Sequence, residues 1–132
     1  LKKRQKKQGR RLIPRHENRI DYEALFAETP IIAMRKALNY IEDDRMPGPH
    51  AFYISFLTDF GGVKISDRLR RFHPHDITIV LQHEFWDLVV EEERFSVTLS
   101  FDGKPERLSI PYNAIPGFID PGAEVQFIRV ST

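Results

Sequence analysis

The sequence predicts an α+β fold that is mainly β, an N-terminal helix followed by a small, partly open antiparallel β-barrel. Three observations predict it. Apolar residues recur three or four apart between Asp21 and Asp44, and that period stops at Met46-Pro47-Gly48-Pro49. Beyond the stop the period falls to two, most cleanly over Arg94 to Phe101, where four apolar residues alternate with hydroxyls. Asp102-Gly103 then supplies a two-residue turn whose central positions need positive φ, so the next strand folds straight back. A helix first and about five or six hairpin-linked strands after it pack as helix on antiparallel sheet.

Asp21 is placed to cap a helix from Tyr22, with Leu25 and Phe26 on its apolar side. Thr29-Pro30 kinks or restarts it, with Thr29 as cap and Pro30 as first helical residue. From Pro30 to Asp44 the residues Ile31, Met34, Ala37, Leu38 and Ile41 mark one face, widened by Ile32 and Tyr40. That stripe exceeds what one small sheet covers, so part of it is available for self-association and most for the core.

A strand follows over Ala51 to Leu57, with Phe52, Ile54 and Phe56 on one face and Tyr53 and Leu57 on the other. Asp59-Phe60-Gly61-Gly62 turns the chain. Its Asp-Phe-Gly triplet lacks every accompanying kinase element and carries no such meaning. Val63 to Phe72 is mixed and basic, a strand end plus a short irregular or helical piece. His73 and His75 have no neighbours at ligand spacing to complete a zinc set, and read as loop residues.

The densest chemistry lies between Asp76 and Leu88. Ile77-Thr78-Ile79-Val80-Leu81 reads as a strand buried on both faces or nearly so. Gln82 and His83 place two polar groups on its end, and Phe85 and the sole tryptophan, Trp86, follow. Such a mixture suits a pocket, although core packing is slightly favoured for Trp86 itself. His83-Glu84-Phe85-Trp86-Asp87 is not a zincin signature, because Asp87 stands where the second histidine must be.

Glu91-Glu92-Glu93 turns into the strand Arg94 to Phe101. Counting back from the Asp102-Gly103 turn sets Phe101 opposite Lys104, Val97 opposite Leu108 and Phe95 opposite Ile110. Pro105 falls opposite Ser100 and lacks a donor, which places the return strand at a sheet edge. Pro111 to Ile115 reads as a turn or helical piece, Asp120-Pro121-Gly122 as a break, and Glu124 to Val130 as a last strand.

At 132 residues, with 41% hydrophobic and 30% charged positions, the chain has room for one modest core. The absence of cysteine removes disulfides and thiol chemistry. No long apolar run or signal-peptide pattern occurs, so a soluble, cytoplasmic, non-membrane protein is expected. Charge divides the chain in two. Residues 1–20 hold nine Lys/Arg against Glu17, whereas the remainder holds 11 Lys/Arg and 18 Asp/Glu. The arm, residues 1–20, is read as disordered and basic, and residues 21–132 as the folded domain. An acidic body disfavours nucleic acid as the main ligand. No nucleophile with its base, carboxylate pair or phosphate-cradling loop stands out, so no enzyme, metal or cofactor is expected.

The chain resembles the stringent starvation protein B family, the SspB-type adaptors of the ClpX–ClpP protease, in particular their alphaproteobacterial branch. Four stretches carry the resemblance: Tyr22-Glu23-Ala24-Leu25; Pro47 to Phe56; Asp76 to Leu88; and Phe95 to Phe101 with Gly103, Pro105, Leu108, Pro111 and Asp120-Pro121. The third is the most telling, being close to a family run Met-Thr-Ile-Val-Leu-Gln-His-Gln-Phe-Trp-Asp-Leu. The resemblance implies a partly open, Sm-like β-barrel, paired as a homodimer through its leading helix. It implies an adaptor that grips ssrA degradation tags on stalled-translation products and delivers them to ClpX–ClpP.

On that resemblance Ile79, Val80 and Leu81 form the floor of a peptide groove. Gln82 and His83 bind the peptide, Val97 and Leu99 face it, and Phe85 and Trp86 wall it or join the core. Leu25, Met34, Ala37, Leu38 and Ile41 are the expected dimer contacts. The family's acidic tail, whose end docks on ClpX, is not within a sequence that stops at Thr132, and the basic arm has no counterpart in the family pattern. An alternative reading uses the Sm-like barrel with that arm to bind RNA.

Overall fold

The computed structural model describes residues 20–41, 43–123 and 125–128. The expected basic arm, residues 1–20, lies almost wholly outside them. Two helices lead, α1 (Tyr22–Ala27) and α2 (Thr29–Leu38), followed by β1 (Phe52–Leu57) and α3 (Asp67–Phe72). Then come β2 (Asp76–Leu81), β3 (Phe85–Val90), β4 (Arg94–Phe101) and β5 (Lys104–Pro111). After a 3₁₀ turn at Tyr112–Ala114 the chain forms β6 (Gly117–Asp120) and β7 (Val125–Ile128).

The strands form two antiparallel sheets, one ordered β2-β1-β6-β7 and the other β3-β4-β5. They do not close into one barrel, which agrees with the partly open architecture expected. Alternation along β1 and β4 sends Phe52, Ile54 and Phe56 from one sheet and Phe95, Val97 and Leu99 from the other into a common core. Met34 and Leu38 of α2 enter that core as well. On one side Lys64, in the segment between β1 and α3, bridges to Ser109 of β5, each amide donating to the other's carbonyl at 2.9 and 3.0 Å. On the other side β2 and β3 are both edge strands, separated only by Gln82-His83-Glu84.

The hairpin register is as counted from the sequence: Phe101 pairs with Lys104, Ser100 with Pro105, Val97 with Leu108 and Phe95 with Ile110. Asp102 and Gly103 both take positive φ, 54° and 79°, as the two-residue turn demands. β5 is an edge strand, which accommodates Pro105 without losing a ladder bond. Asp21 caps α1 as expected, its Oδ1 accepting from Ala24 N at 3.1 Å.

Several expectations need correction. The helix expected over Pro30 to Asp44 ends at Leu38; Asp43 and Asp44 adopt positive φ, and Asp44 turns its carboxylate to β3. Nor is β2 buried on both faces. Ile79 and Leu81 point inward while Thr78 and Val80 face solvent, so the strand alternates despite its apolar composition. β3 and β6 are strands that the sequence pattern does not announce. In β3 a bulge between Trp86 and Val89 breaks the alternation, and β6 is four residues bounded by proline on either side.

Two polar latches hold the sheet ends. His50 Nδ1 lies 2.7 Å from Asp120 Oδ2, and Ala51 N donates to Asp120 Oδ1 at 3.3 Å, tying the entry of β1 to the exit of β6. Gly122 passes so close to Pro49 that a Cβ would stand 2.4 Å from its carbonyl oxygen, so only glycine fits. In the other sheet the Tyr112 hydroxyl donates to Glu91 O at 2.8 Å, and Tyr112 N donates to Glu93 O. Burial pushes that phenol up to about 12, with Arg35 opposing the shift and Glu91 adding to it.

Candidate functional site

The expected groove residues divide sharply. Ile79, Leu81, Phe85, Val97 and Leu99 all lie in the core, each at most 5% exposed. Val80, Gln82 and His83 are reachable from solvent: Val80 and His83 are exposed and Gln82 is half-buried. The accessible part of the set is therefore the outer side of β2 and the corner it runs into. A glutamate at Leu99 would bury a charge, so loss of binding in such a variant would report damage to the core.

This corner has a simple origin. β2 pairs with β1 on one edge only, from Phe52–Leu81 to Leu57–Asp76. Among the described residues no strand covers its other edge, so alternate amides and carbonyls there lack a ladder partner. On its outer face Val80 pairs with Tyr53, which pairs in turn with Ile119, and all three are exposed. The next row is polar, with Ser55 Oγ and Thr78 Oγ1 2.7 Å apart. An open backbone edge therefore lies beside an apolar row and leads to Gln82 and His83.

Trp86 is not a core residue. It is 43% exposed, against the expectation of core packing, and Val89 beside it is 46% exposed. The cause is the bulge. Residues three apart in a regular strand face opposite sides, but here Trp86 pairs with Thr98 and Val89 with Ser96, so one extra residue brings both to the outer face. Asp87 takes φ 53° at this point. Its amide donates to Asp44 Oδ2 at 2.9 Å and the Leu88 amide donates to Asp44 Oδ1 at 3.0 Å. From the opposite side Arg107 Nη1 donates to Asp87 O at 2.7 Å and to Thr98 Oγ1 at 3.1 Å. Neither Asp44 nor Arg107 stands out in the sequence, because each acts on a strand distant in the chain. The positive-φ aspartates offer the one local hint, since Asp tolerates that region better than most residues.

The expected dimer contacts divide as well. Met34 and Leu38 are buried within the chain's own core, and Ala37 and Ile41 pack against it. Leu25 is exposed, as are Tyr22 and Phe26, whose rings stack at 6.3 Å. α1 buries none of its residues. Its side chains Tyr22, Leu25 and Phe26 form an exposed apolar surface at this end.

The sequence model of the family described as stringent starvation protein B, SspB, matches residues 32–129. The chain belongs to this family. The match spans every strand and includes the Gln82-His83 corner, and it begins inside α2, past α1. Membership of the SspB family carries, at the coarse level, an adaptor's part in proteolysis through protein partners. No curated protein matches the chain. Among the described residues no helix is long and apolar enough to cross a membrane.

Proposed function

We propose that the chain is a non-enzymatic, cytoplasmic adaptor that binds ssrA-type degradation tags and delivers the tagged proteins to the ClpX–ClpP protease. The observation that carries this reading is the open edge of β2 running into Gln82 and His83. An unfolded tag is an extended chain with unpaired amides and carbonyls, so an edge strand meets its backbone and the adjoining surface meets its side chains. Val80 supplies the apolar contact, and Gln82 and His83 supply the polar ones. The buried set Ile79, Leu81, Phe85, Val97 and Leu99 holds this edge rigid from below. Pairing into a homodimer runs through α1, with Leu25, Tyr22 and Phe26 as the contacts.

Titration of a fluorescent ssrA-type peptide against the protein and its Gln82→Ala variant tests the corner. The expected result is about tenfold weaker binding with an unchanged melting temperature, the loss of one to two hydrogen bonds. Equal affinity for both proteins would remove the corner from the account. For the pairing, Phe26→Asp is expected to shift the sedimenting species from dimer to monomer; a variant that stays dimeric places the contact elsewhere.

A further inference from the structure

The outer face of the three-stranded sheet has a composition unlike the rest of the molecule. The register sets Trp86, Val89, Arg94, Ser96, Thr98, Ser100, Pro105, Arg107 and Ser109 on that face. The charged positions that β4 and β5 contribute there are two arginines, on a body whose residues 21–132 carry 18 Asp/Glu against 11 Lys/Arg. The two arginines are differently employed. Arg94 is spent internally, on Ser109 Oγ at 2.8 Å and Gly62 O at 3.1 Å. Among the described residues Arg107 bonds through Nη1 alone and pairs with no carboxylate. The bonds to Thr98 Oγ1 and Asp87 O set its guanidinium beside the backbone of the residue following Trp86. The indole and the remaining guanidinium N–H groups thus share one exposed patch, directly beyond the Gln82-His83 corner.

From this we infer that Trp86 and Arg107 form a subsite that selects an acidic side chain in the bound peptide. The inference rests on the corner reading, since the peptide reaches the patch by continuing past His83. A guanidinium edge donates two parallel bonds to a carboxylate, and the neighbouring indole covers the methylenes behind it. A single arginine with unused donors on this sheet face is too few for a phosphate backbone, which needs several. An acidic peptide is therefore the occupant, and nucleic acid is not. Asp44 is a positioning residue for the subsite: by holding the bulge it keeps Trp86 on the same face as Arg107.

Trp86 is the only tryptophan, so its emission reports on this patch without labelling. The probes are ssrA-type peptides in which one glutamate is walked along the chain, each paired with its glutamine counterpart. At one position the glutamate peptide is expected to bind about tenfold more tightly and to change Trp86 emission, as a charge-assisted pair requires. Arg107→Gln should abolish that preference, so that the glutamate and glutamine peptides bind alike, whereas Arg107→Lys should retain part of it. Gln82→Ala should weaken both peptides alike.

A role in packing alone would make Arg107→Gln weaken both peptides equally, and that result overturns the subsite. So does a glutamate preference that survives in Arg107→Gln. In either case a response to Gln82→Ala leaves the corner reading standing. Failure of every peptide to bind removes the corner and the subsite together. Quenching of Trp86 by a single-stranded RNA, with a steep salt dependence, would assign the patch to nucleic acid instead.

Discussion

β2 and β3 are the edge strands of two different sheets and are separated by three residues, yet they treat their edges in opposite ways. β2 is regular. It alternates inward and outward residues, pairs in unbroken register with β1, and among the described residues has no strand on its far edge. β3 carries a bulge, and the bulge is gripped from both sides by a carboxylate and a guanidinium. An exposed, regular edge invites another chain to pair with it, whereas a bulged edge twists away from such pairing. In the proposed adaptor the two strands do different work: β2 offers backbone to the tag, and β3 offers side chains.

The sheets also close their ends differently, and the larger expected effect tests that difference. The three-stranded sheet is latched by the Tyr112 phenol on Glu91 O, the four-stranded sheet by His50 on Asp120. Burial raises the phenol from an ordinary value of 10.0 to about 12 in the folded protein. The folded state therefore holds this proton more tightly than the unfolded chain does. Its contribution is fully present below pH 10 and is lost as pH rises through about 12. The loss across that window is about 2–3 kcal/mol, since each tenfold in proton affinity is worth about 1.36 kcal/mol. Urea unfolding at pH 9 and pH 11.5 should show Tyr112→Phe losing less stability than the native chain over the interval. Equal losses would mean the phenol is not the latch that distinguishes this sheet.

How much of this was legible in the sequence follows the same division. Where a strand's environment is set by its own alternation and a local turn, the pattern suffices. Asp102-Gly103 dictates the β4–β5 turn, and the register of Val97 with Leu108 follows by counting. The helical pattern likewise marks Met34 and Leu38 as apolar-face residues, though it does not tell an inward face from a dimer face. Where a distant residue sets the geometry, the pattern misleads. Trp86 looks like core in an apolar run and faces solvent because Asp44 and Arg107, 42 and 21 positions away, fix the bulge from either side. β6 escapes notice because Gly117 to Asp120 is short and weakly patterned, and it becomes a strand by pairing with β1 and β7. For the proposed site, Gln82, His83 and Val80 are reachable from solvent, whereas alternation turns Ile79, Leu81, Phe85, Val97 and Leu99, also expected to line it, inward.

The smaller expected effect concerns the bulge clamp, set against a hydroxyl pair on the other sheet. Asp44→Ala removes the acceptor of two backbone amides, one at an exposed and one at a half-buried residue, and should cost about 1–2 kcal/mol. Ser55→Ala deletes one member of the exposed Ser55–Thr78 pair, and since water replaces the lost partner the cost should be about 0.5 kcal/mol or less. Stability alone would not show that Asp44 sets the bulge. Trp86 emission and its quenching by acrylamide would, because release of the bulge restores ordinary alternation and moves the indole relative to the sheet. Asp44→Ala should therefore change both optical signals in the folded protein, and Ser55→Ala should change neither. If the Asp44→Ala protein kept the native emission and quenching, the bulge would be a property of β3's own sequence, and the two edges would differ for a local reason rather than a tertiary one.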